Sequence, residues 1–481
     1  MLAAEPSVVL LLTLGLVILA FFSLNLLTLT LARLLMPRRA MKIAALADAE
    51  LPQVLVQLPL FNEGELVERI LEATLALDWP RDRLQIQVLD DSIDGSLAMS
   101  QRAVAALRRE GVQIELLHRV QRTAFKAGAL AAGLERSDAP FVAIFDADFL
   151  PPPDFLRKTV GALVAQPDMA YVQGRWDHIN RDESLLTRVQ ARLLDSHFCV
   201  EQEARWRLGM PVPFNGTCGL WRHAAIADAG GWDGDTLTED LDLSLRARLR
   251  GWRSGYLKDL TVPGMLPVSA RAWRVQQFRW TKGFVQCFVK LMPLIWRSDS
   301  LPLWQKVMIS FQIGQPLAFM VGAACLLLGL PFMTGTAVGG ETLSRVALVA
   351  SVLGFAAPIA FLTMAGTREG ARRTAAEVFG ALACTSGLLL SNTRGGLEAL
   401  FGYRTEFVRT PKGRDATRSS RLRWRSGLIE LVTGLSLLGF VLLEEPLAVL
   451  YLAMLIGGLV GVGAMQVLDG VALPRVAGTR N

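Results

Sequence analysis

FVAIFDADFLP, residues 141–151, is an apolar run that ends in two aspartates one residue apart, Asp146 and Asp148, after which Pro151, Pro152 and Pro153 forbid any continuation. In an extended segment, residues i and i+2 point the same way, so both carboxylates are expected to face one side at a strand's exit. An isolated D-x-D is ordinarily an acidic loop. The surrounding pattern makes this one more informative. Short apolar runs at 54–60 (VLVQLPL), 85–91 (QIQVLDD), 114–120 (IELLHRV), 141–148 and 170–174 (AYVQG) alternate with helical patterns such as Leu66, Ile70, Ala73 and Leu77. Strand and helix alternating at this spacing predict an α/β domain, a mostly parallel sheet with helices on both faces. Ligands bind such sheets at the carboxyl ends of the strands. Phe61, Asn62 and Glu63 follow the first run, Asp90 and Asp91 the second, and Asp146 and Asp148 the fourth. Three strand ends therefore deliver acid or amide to one edge.

The 481 residues are 52% hydrophobic, with a mean hydropathy of +0.35, which is too apolar for a purely soluble enzyme. The segment from Ser7 to Met36 is long enough, at about 1.5 Å per residue, to cross a hydrocarbon layer of roughly 30 Å. Its basic flank, Arg38, Arg39 and Lys42, comes after it, which predicts an external amino terminus and a cytosolic domain behind it. Further apolar runs at about 307–333, 344–366, 427–443 and 447–468 bring the expected spans to five. The basic stretch 367–426 is expected on the inner side, and 375–392 is read as interfacial or re-entrant. The division is a spanning helix at 1–39, a cytosolic domain at 40–300 and a membrane region at 301–481.

The net charge of +6 is spread beside apolar segments, which fits topology determinants and predicts no nucleic-acid partner. Five scattered cysteines without C-x-x-C spacing argue against a disulfide framework or a zinc site. Neither G-x-G-x-x-G after the first strand nor G-x-x-x-x-G-K-[ST] is present, so a bound nucleotide needs a metal for its diphosphate. Paired aspartates supply hard oxygens to Mg²⁺ or Mn²⁺. Downstream, TLTEDLDLSLRARLRGW places Glu239 and Asp240 at the start of a helical pattern. A helix amino terminus is expected to keep Asp240 ionised, as a general base must be. The segment VQQFRWTKGF lies in an aromatic and basic stretch, with Trp273 and Trp280 about two turns apart, which reads as lying at a membrane surface.

In order, QLPLFNE, VLDDSID, FKAGAL, FDADF, FNGTCGLWR, TEDLDLSLRA and QQFRW resemble the inverting family 2 glycosyltransferases of the cellulose synthase type. The phrasing is most similar to the cellulose-synthase-like mannan and glucan synthases, over roughly residues 50–300. The resemblance implies a GT-A-type, Rossmann-like domain embedded in an α-helical transmembrane protein of the cell membrane. It implies that Phe61, Glu63 and Asp90 or Asp91 hold the nucleoside, that Lys126 and Asp146 meet the diphosphate, and that Asp146 and Asp148 bind the metal. Asp240, beside Glu239, is the implied general base. Arg279 steadies the leaving diphosphate, and Gln276 and Trp280 meet the acceptor together with Asn215, Gly216 and Thr217. The last three residues depart from the phenylalanine and cysteine more usual there.

The implied reaction transfers a hexose in one inverting displacement from a nucleotide sugar, with UDP-glucose the broadest expectation and GDP-mannose open. The acceptor is the end of a β-linked polysaccharide. Gln312, Gln315 and Asn392 are candidates for a polar path across the membrane. Two alternatives stand beside this reading: a glycolipid synthase adding one sugar to a lipid acceptor, and a transporter or scaffold with an inactive nucleotide-binding domain. Membrane lipid is an expected partner, and accessory export subunits are left open.

Overall fold

The computed structural model describes residues 2–3, 5–333, 337–366, 370–403, 427–444 and 448–471. Most of the basic stretch expected on the inner side, 404–426, and Arg368 lie outside the described residues.

The soluble part is built on seven strands: β1 (Val54–Leu60), β2 (Leu84–Asp90), β3 (Ile114–Leu117), β4 (Phe141–Ile144), β5 (Met169–His178), β6 (Gly219–Arg222) and β7 (Arg253–Gly264). Their spatial order is β3-β2-β1-β4-β6-β5-β7, with every pairing parallel except the two made by β6. The five expected strands are present. Two were not foreseen, β6 and β7. GLWR is only four residues long, and RSGYLKDLTVPG contains charges that blur its alternation.

All seven residues of β1 are buried, because helices cover both faces of the sheet. One apolar core holds Val54, Val56, Leu58, Ile70 and Phe155; the other holds Leu55, Leu130, Val142, Tyr171 and Trp221. Helices α1 (Pro6–Leu35), α2 (Gly64–Leu75), α3 (Ser96–Arg109), α4 (Phe125–Leu134), α5 (Phe155–Ala165) and α6 (Leu185–Ser196) precede β6. After it come α7 (Glu239–Leu249) and the 28-residue α8 (Ala270–Arg297).

Among the described residues, three helices are long and apolar enough to cross a membrane: α1, α11 (Gly340–Thr363) and residues Leu452–Asp469 of α15 (Ala448–Val471). Two bent pairs are also long enough if each counts as one span. α9 (Leu303–Gly314) and α10 (Leu317–Met333) meet at 66°, where Pro316 has no amide hydrogen to continue the ladder. α12 (Ala371–Gly387) and α13 (Leu389–Leu400) meet at 50°. Thus the run expected at 307–333 is broken, and the segment read as 375–392 extends over 371–400. α14 (Leu428–Glu444) is shorter.

Specific contacts fix these helices to the soluble part. Arg33 at the end of α1 donates from Nε to Cys199 O at 2.9 Å, and the Arg39 guanidinium stacks on Trp206 at 4.3 Å. Glu377 of α12 is buried against Arg192 of α6, with Nη2 to Oε2 at 2.6 Å. Arg181 reaches the same Oε2 at 3.1 Å. Gly387 lies so close to α15 that a Cβ there would meet Gly458 O at 2.3 Å, the close backbone approach that small residues permit between apolar helices.

Candidate active site

The register of β1 and β2 pairs Leu60 with Asp90, so the two strands end level. Residues 61–63 therefore lie beside 91–93. Asn62 takes a left-handed conformation (φ 55°), its amide donates to Ser92 Oγ at 2.7 Å, and its Oδ1 accepts from Ile93 N at 3.0 Å. This double bond closes the two strand ends into one wall. The second wall forms because Ile144 of β4 pairs with Gly219 of β6, which brings Thr217 to the D-x-D turn. Thr217 Oγ1 accepts from Asp146 N at 2.9 Å.

Between these walls lies a cleft with a volume of about 190 Å³. Phe61, Glu63, Asp91, Lys126, Asp146 and Asp148 line one part of it; Asn215, Gly216, Glu239, Asp240, Gln276, Arg279 and Trp280 line the other. Most of the residues singled out from the sequence thus meet in one place. Two do not line it. Asp90 is buried, with Oδ1 accepting from Ser92 N at 2.8 Å and Oδ2 from Ser100 Oγ at 2.5 Å, so of the adjacent pair Asp91 is the one in the cleft. Thr217 is fully buried beneath the floor and orients Asp146.

The D-x-D geometry differs from expectation. β4 ends at Ile144, and Ala147 and Asp148 form a turn, so the two carboxylates reach the cleft from a turn and not by strand alternation. Asp146 Oδ1 pairs with Lys126 Nζ at 2.6 Å, and Lys126 also donates to Gly216 O at 3.0 Å. Asp148 is nearly buried, and its Oδ2 accepts from Met265 N at 3.3 Å. Two adjacent carboxylates with hard oxygens suit a divalent cation whose remaining positions are filled by a diphosphate and water.

Asp240 stands at the amino terminus of α7, with Oδ1 accepting from Leu241 N at 2.8 Å. The helix end does not keep its carboxylate at an ordinary pKa. Burial, reinforced by Glu239, pushes Asp240 up to about 7, outweighing the bond from Leu241 and the attraction of Lys126. Burial raises Glu239 as well. Burial alone would lower Lys126, but Asp146, Glu239 and Asp240 raise it on balance. Burial lowers Arg279 against the pull of Glu239 and Asp146. Gly216 has φ 80°, and a Cβ there would sit 2.9 Å from Asp240 Oδ2, so only glycine lets this turn approach the acid.

Several residues in or beside the cleft had not been identified from the sequence. Arg122 stacks over the Phe61 ring at 3.3 Å, and Arg119 holds both oxygens of Asp91, at 3.1 and 2.5 Å. Both arginines follow β3, so the strand-end rule applied to HRVQR would have found them. Trp176, Asp177 and His178 at the end of β5 also line the cleft.

A second cavity, of about 320 Å³, shares Asp240, Asn215, Gln276 and Trp280 with the first and continues toward the apolar helices. It is lined further on by His197, Glu201, Trp273, Gln312, Gln315 and Thr385. His197 opens a π-helical turn (His197–Gln202), a local irregularity that often marks functional sites. Gln312 and Gln315 thus line this path. Asn392 is buried but is not among its lining residues.

A mostly parallel sheet with a D-x-D turn near its centre and a half-buried acid on the facing wall is the GT-A architecture. Residues 52–283 match the family model described as "Glycosyltransferase like family 2". It is 46% identical over 270 residues to glucomannan 4-beta-mannosyltransferase 2 of Arabidopsis thaliana, covering 55% of this chain and 51% of that protein. Identity to glucomannan 4-beta-mannosyltransferase 1 of Oryza sativa subsp. japonica is 43% over 270 residues, covering 55% and 52%. The chain thus spans about half the length of these curated relatives. Among solved structures, a mannosyltransferase from Pyrobaculum calidifontis, in complex with GDP-Man and Mn²⁺, aligns with a TM-score of 0.55 at 20% identity. That alignment covers 82% of this chain and 99% of the other, and is a likeness of fold.

Proposed function

We propose that this protein is a membrane-embedded, inverting hexosyltransferase that moves a mannosyl group from a nucleotide sugar to the end of a β-linked polysaccharide. The observation that carries the reading is the convergence of Asp91, Lys126, Asp146, Asp148, Asp240 and Arg279 on one cleft, which opens past Trp280 into a cavity leading toward the apolar helices. The names of the relatives favour mannose, and with it a GDP-linked donor, over the UDP-glucose expected from sequence. A lipid acceptor finds no support in those names.

The residues fit the chemistry as follows. Phe61, Arg122 and Asp91 present an aromatic face, a cation and a fixed carboxylate to the nucleoside. Asp146 and Asp148 would hold a divalent ion, Mg²⁺ or Mn²⁺, which when bound would supply positive charge to the departing diphosphate. Lys126 and Arg279 add fixed positive charge at the same place, in a site partly shielded from water. Asp240 takes the proton of the attacking acceptor hydroxyl, and a pKa near 7 suits a base working at neutral pH. Attack on the face opposite the diphosphate inverts the anomeric carbon in one step. Trp280 and Gln276, shared by both cavities, hold the acceptor sugar.

The division into an anchor at 1–39, a catalytic domain at 40–300 and a membrane region at 301–481, with catalysis on the cytosolic face of the cell membrane, is part of this proposal. Arg38, Arg39 and Lys42 beside α1 support it. Membranes containing the protein are incubated with labelled GDP-mannose, GDP-glucose or UDP-glucose and a divalent metal. The expected product is a mannanase-sensitive polymer formed from GDP-mannose; an organic-extractable lipid, or transfer from UDP-glucose alone, refutes the assignment.

A further inference from the structure

Asp240 and Trp280 come from different elements, α7 and α8, yet the reaction assigned to them needs a fixed distance between base and acceptor. One face of α8 carries both the acceptor residues and a docking surface. Gln276, Arg279, Trp280, Gly283, Cys287 and Lys290 recur at spacings of three and four, the repeat of a single helix face. The first three line the cleft. The last three, with Gln286, hold the loop that leads into Asp240.

The contacts follow one another along that loop. Lys290 Nζ lies 3.1 Å from Asp233 Oδ2, 2.8 Å from Asp235 Oδ1 and 2.9 Å from Asp242 Oδ1. Asp242, fully buried in the first turn of α7, is also held by Arg246 Nε at 2.7 Å, and Arg246 in turn donates to the carbonyls of Ala229 and Gly231. The three carboxylates lie close enough together to resemble a metal site, but the ammonium of Lys290 sits among them as their counter-charge. Next, Leu237 N donates to Gln286 Oε1 at 2.9 Å, and Thr238 Oγ1 lies 3.4 Å from Cys287 Sγ. Finally, a Cβ on Gly283 would meet Thr238 Cγ2 at 2.6 Å, Oγ1 at 2.8 Å and its backbone nitrogen at 3.0 Å. The backbone two residues before Asp240 therefore rests directly on α8, one turn beyond Trp280.

We infer that Lys290 and Gly283 are positioning residues, which clamp the 233–242 segment to α8 and so set the distance from Asp240 to the acceptor sugar held by Trp280. This rests on the proposed function for the meaning of that distance, though not for the clamp itself. On the donor side of the cleft, Phe61, Asp91 and Asp148 belong to other elements and are untouched by it, and Arg279 stays with Trp280 on α8.

The test uses the full chain in membranes or detergent. In Lys290→Met, kcat falls by about tenfold or more, as expected when reacting groups shift by a fraction of an ångström to an ångström. Acceptor KM rises, donor KM stays within about twofold, and amide exchange across 236–242 accelerates. Lys290→Arg restores most of the activity. Gly283→Ala leaves every charge in place and produces the same split between kcat and donor KM, which covers the case in which Lys290→Met does not fold. Unchanged kcat in both Lys290→Met and Gly283→Ala, or donor KM rising in step with the loss of kcat, overturns the inference. So does unchanged exchange at 236–242. If the wild-type protein transfers no mannose, the proposed function fails, and the exchange measurement still decides whether the clamp exists.

Discussion

Replacing Asp240 with Asn separates what the carboxylate does for the reaction from what it costs the fold. Asn keeps an oxygen for the Leu241 amide but takes no proton. A positioned general base contributes about 10²–10⁴ in rate, so the barrier rises by about 3–5 kcal/mol at 1.36 kcal/mol per tenfold. Burial and Glu239 push the Asp240 pKa up to about 7. The wild-type rate should therefore follow the ionised fraction, at about one-tenth of its plateau at pH 6, half at pH 7 and nine-tenths at pH 8.

Stability moves the other way. The folded pKa lies above the unfolded value of about 3.9. The folded state therefore binds more protons between the two, and the contribution present below pH 4 is lost as pH rises through about 7. Three units correspond to about 4 kcal/mol at most, an upper bound because the burden is shared with Glu239. Asp240→Asn does not ionise, so it should melt modestly above the wild type at pH 5, where about a third of the cost has accrued, and clearly above it at pH 8, while transferring almost nothing. Sugar transfer and thermal melting measured from pH 5 to 8.5 test both signs. Wild-type transfer by the variant, or a melting difference that does not grow between pH 5 and pH 8, refutes the assignment.

Lys126→Met removes the cation bonded to Asp146 and should lower kcat by about 10²–10³, with melting near that of the wild type; full activity in a transfer assay would count against its role at the diphosphate. Chelating divalent ions should abolish transfer, with Mn²⁺ or Mg²⁺ restoring it, and Asp148→Asn should raise the metal concentration needed for half-maximal rate. Glu377→Ala leaves Arg192 buried without its carboxylate and should cost about 3–5 kcal/mol, measured as a fall in melting temperature. The double change with Arg192→Met should recover part of that loss.

The parallel half of the sheet was legible because each strand is a short, largely apolar run followed within a few residues by a charged side chain. β1 shows this best, with seven buried residues followed by Phe61, Asn62 and the acid Glu63. β6 and β7 were not legible: GLWR is too short for alternation to register, and β7 carries Arg253, Lys258 and Asp259 along a strand at the edge of the sheet. The helix breaks were half legible. Pro316 marks the bend between α9 and α10, whereas the bend after Gly387 depends on how α12 meets α15, which no local pattern reports.

For the site, strand ends were a reliable guide to position and a poor one to orientation. Adjacent residues at a strand end face opposite sides, but the run QIQVLDD does not say which side meets a ligand, so the sequence offered Asp90 and Asp91 as equals. The structure separates them through partners 10 and 28 residues away, Ser100 for Asp90 and Arg119 for Asp91. The same limit applies to Asp240. Its place at a helix amino terminus can be read from TEDLDLSLRA, and the local rule then predicts an easily ionised acid. The larger opposing effect is non-local: the walls of the cleft, the Gly216 turn among them, enclose the carboxylate, and that burial, with the charge of neighbouring Glu239, exceeds what the first turn of α7 returns. An acid at an exposed helix end would be ionised well below neutrality and would be a weak base. Under the proposed function, enclosure by the elements that would hold the acceptor gives this acid a proton affinity suited to deprotonating a sugar hydroxyl near pH 7.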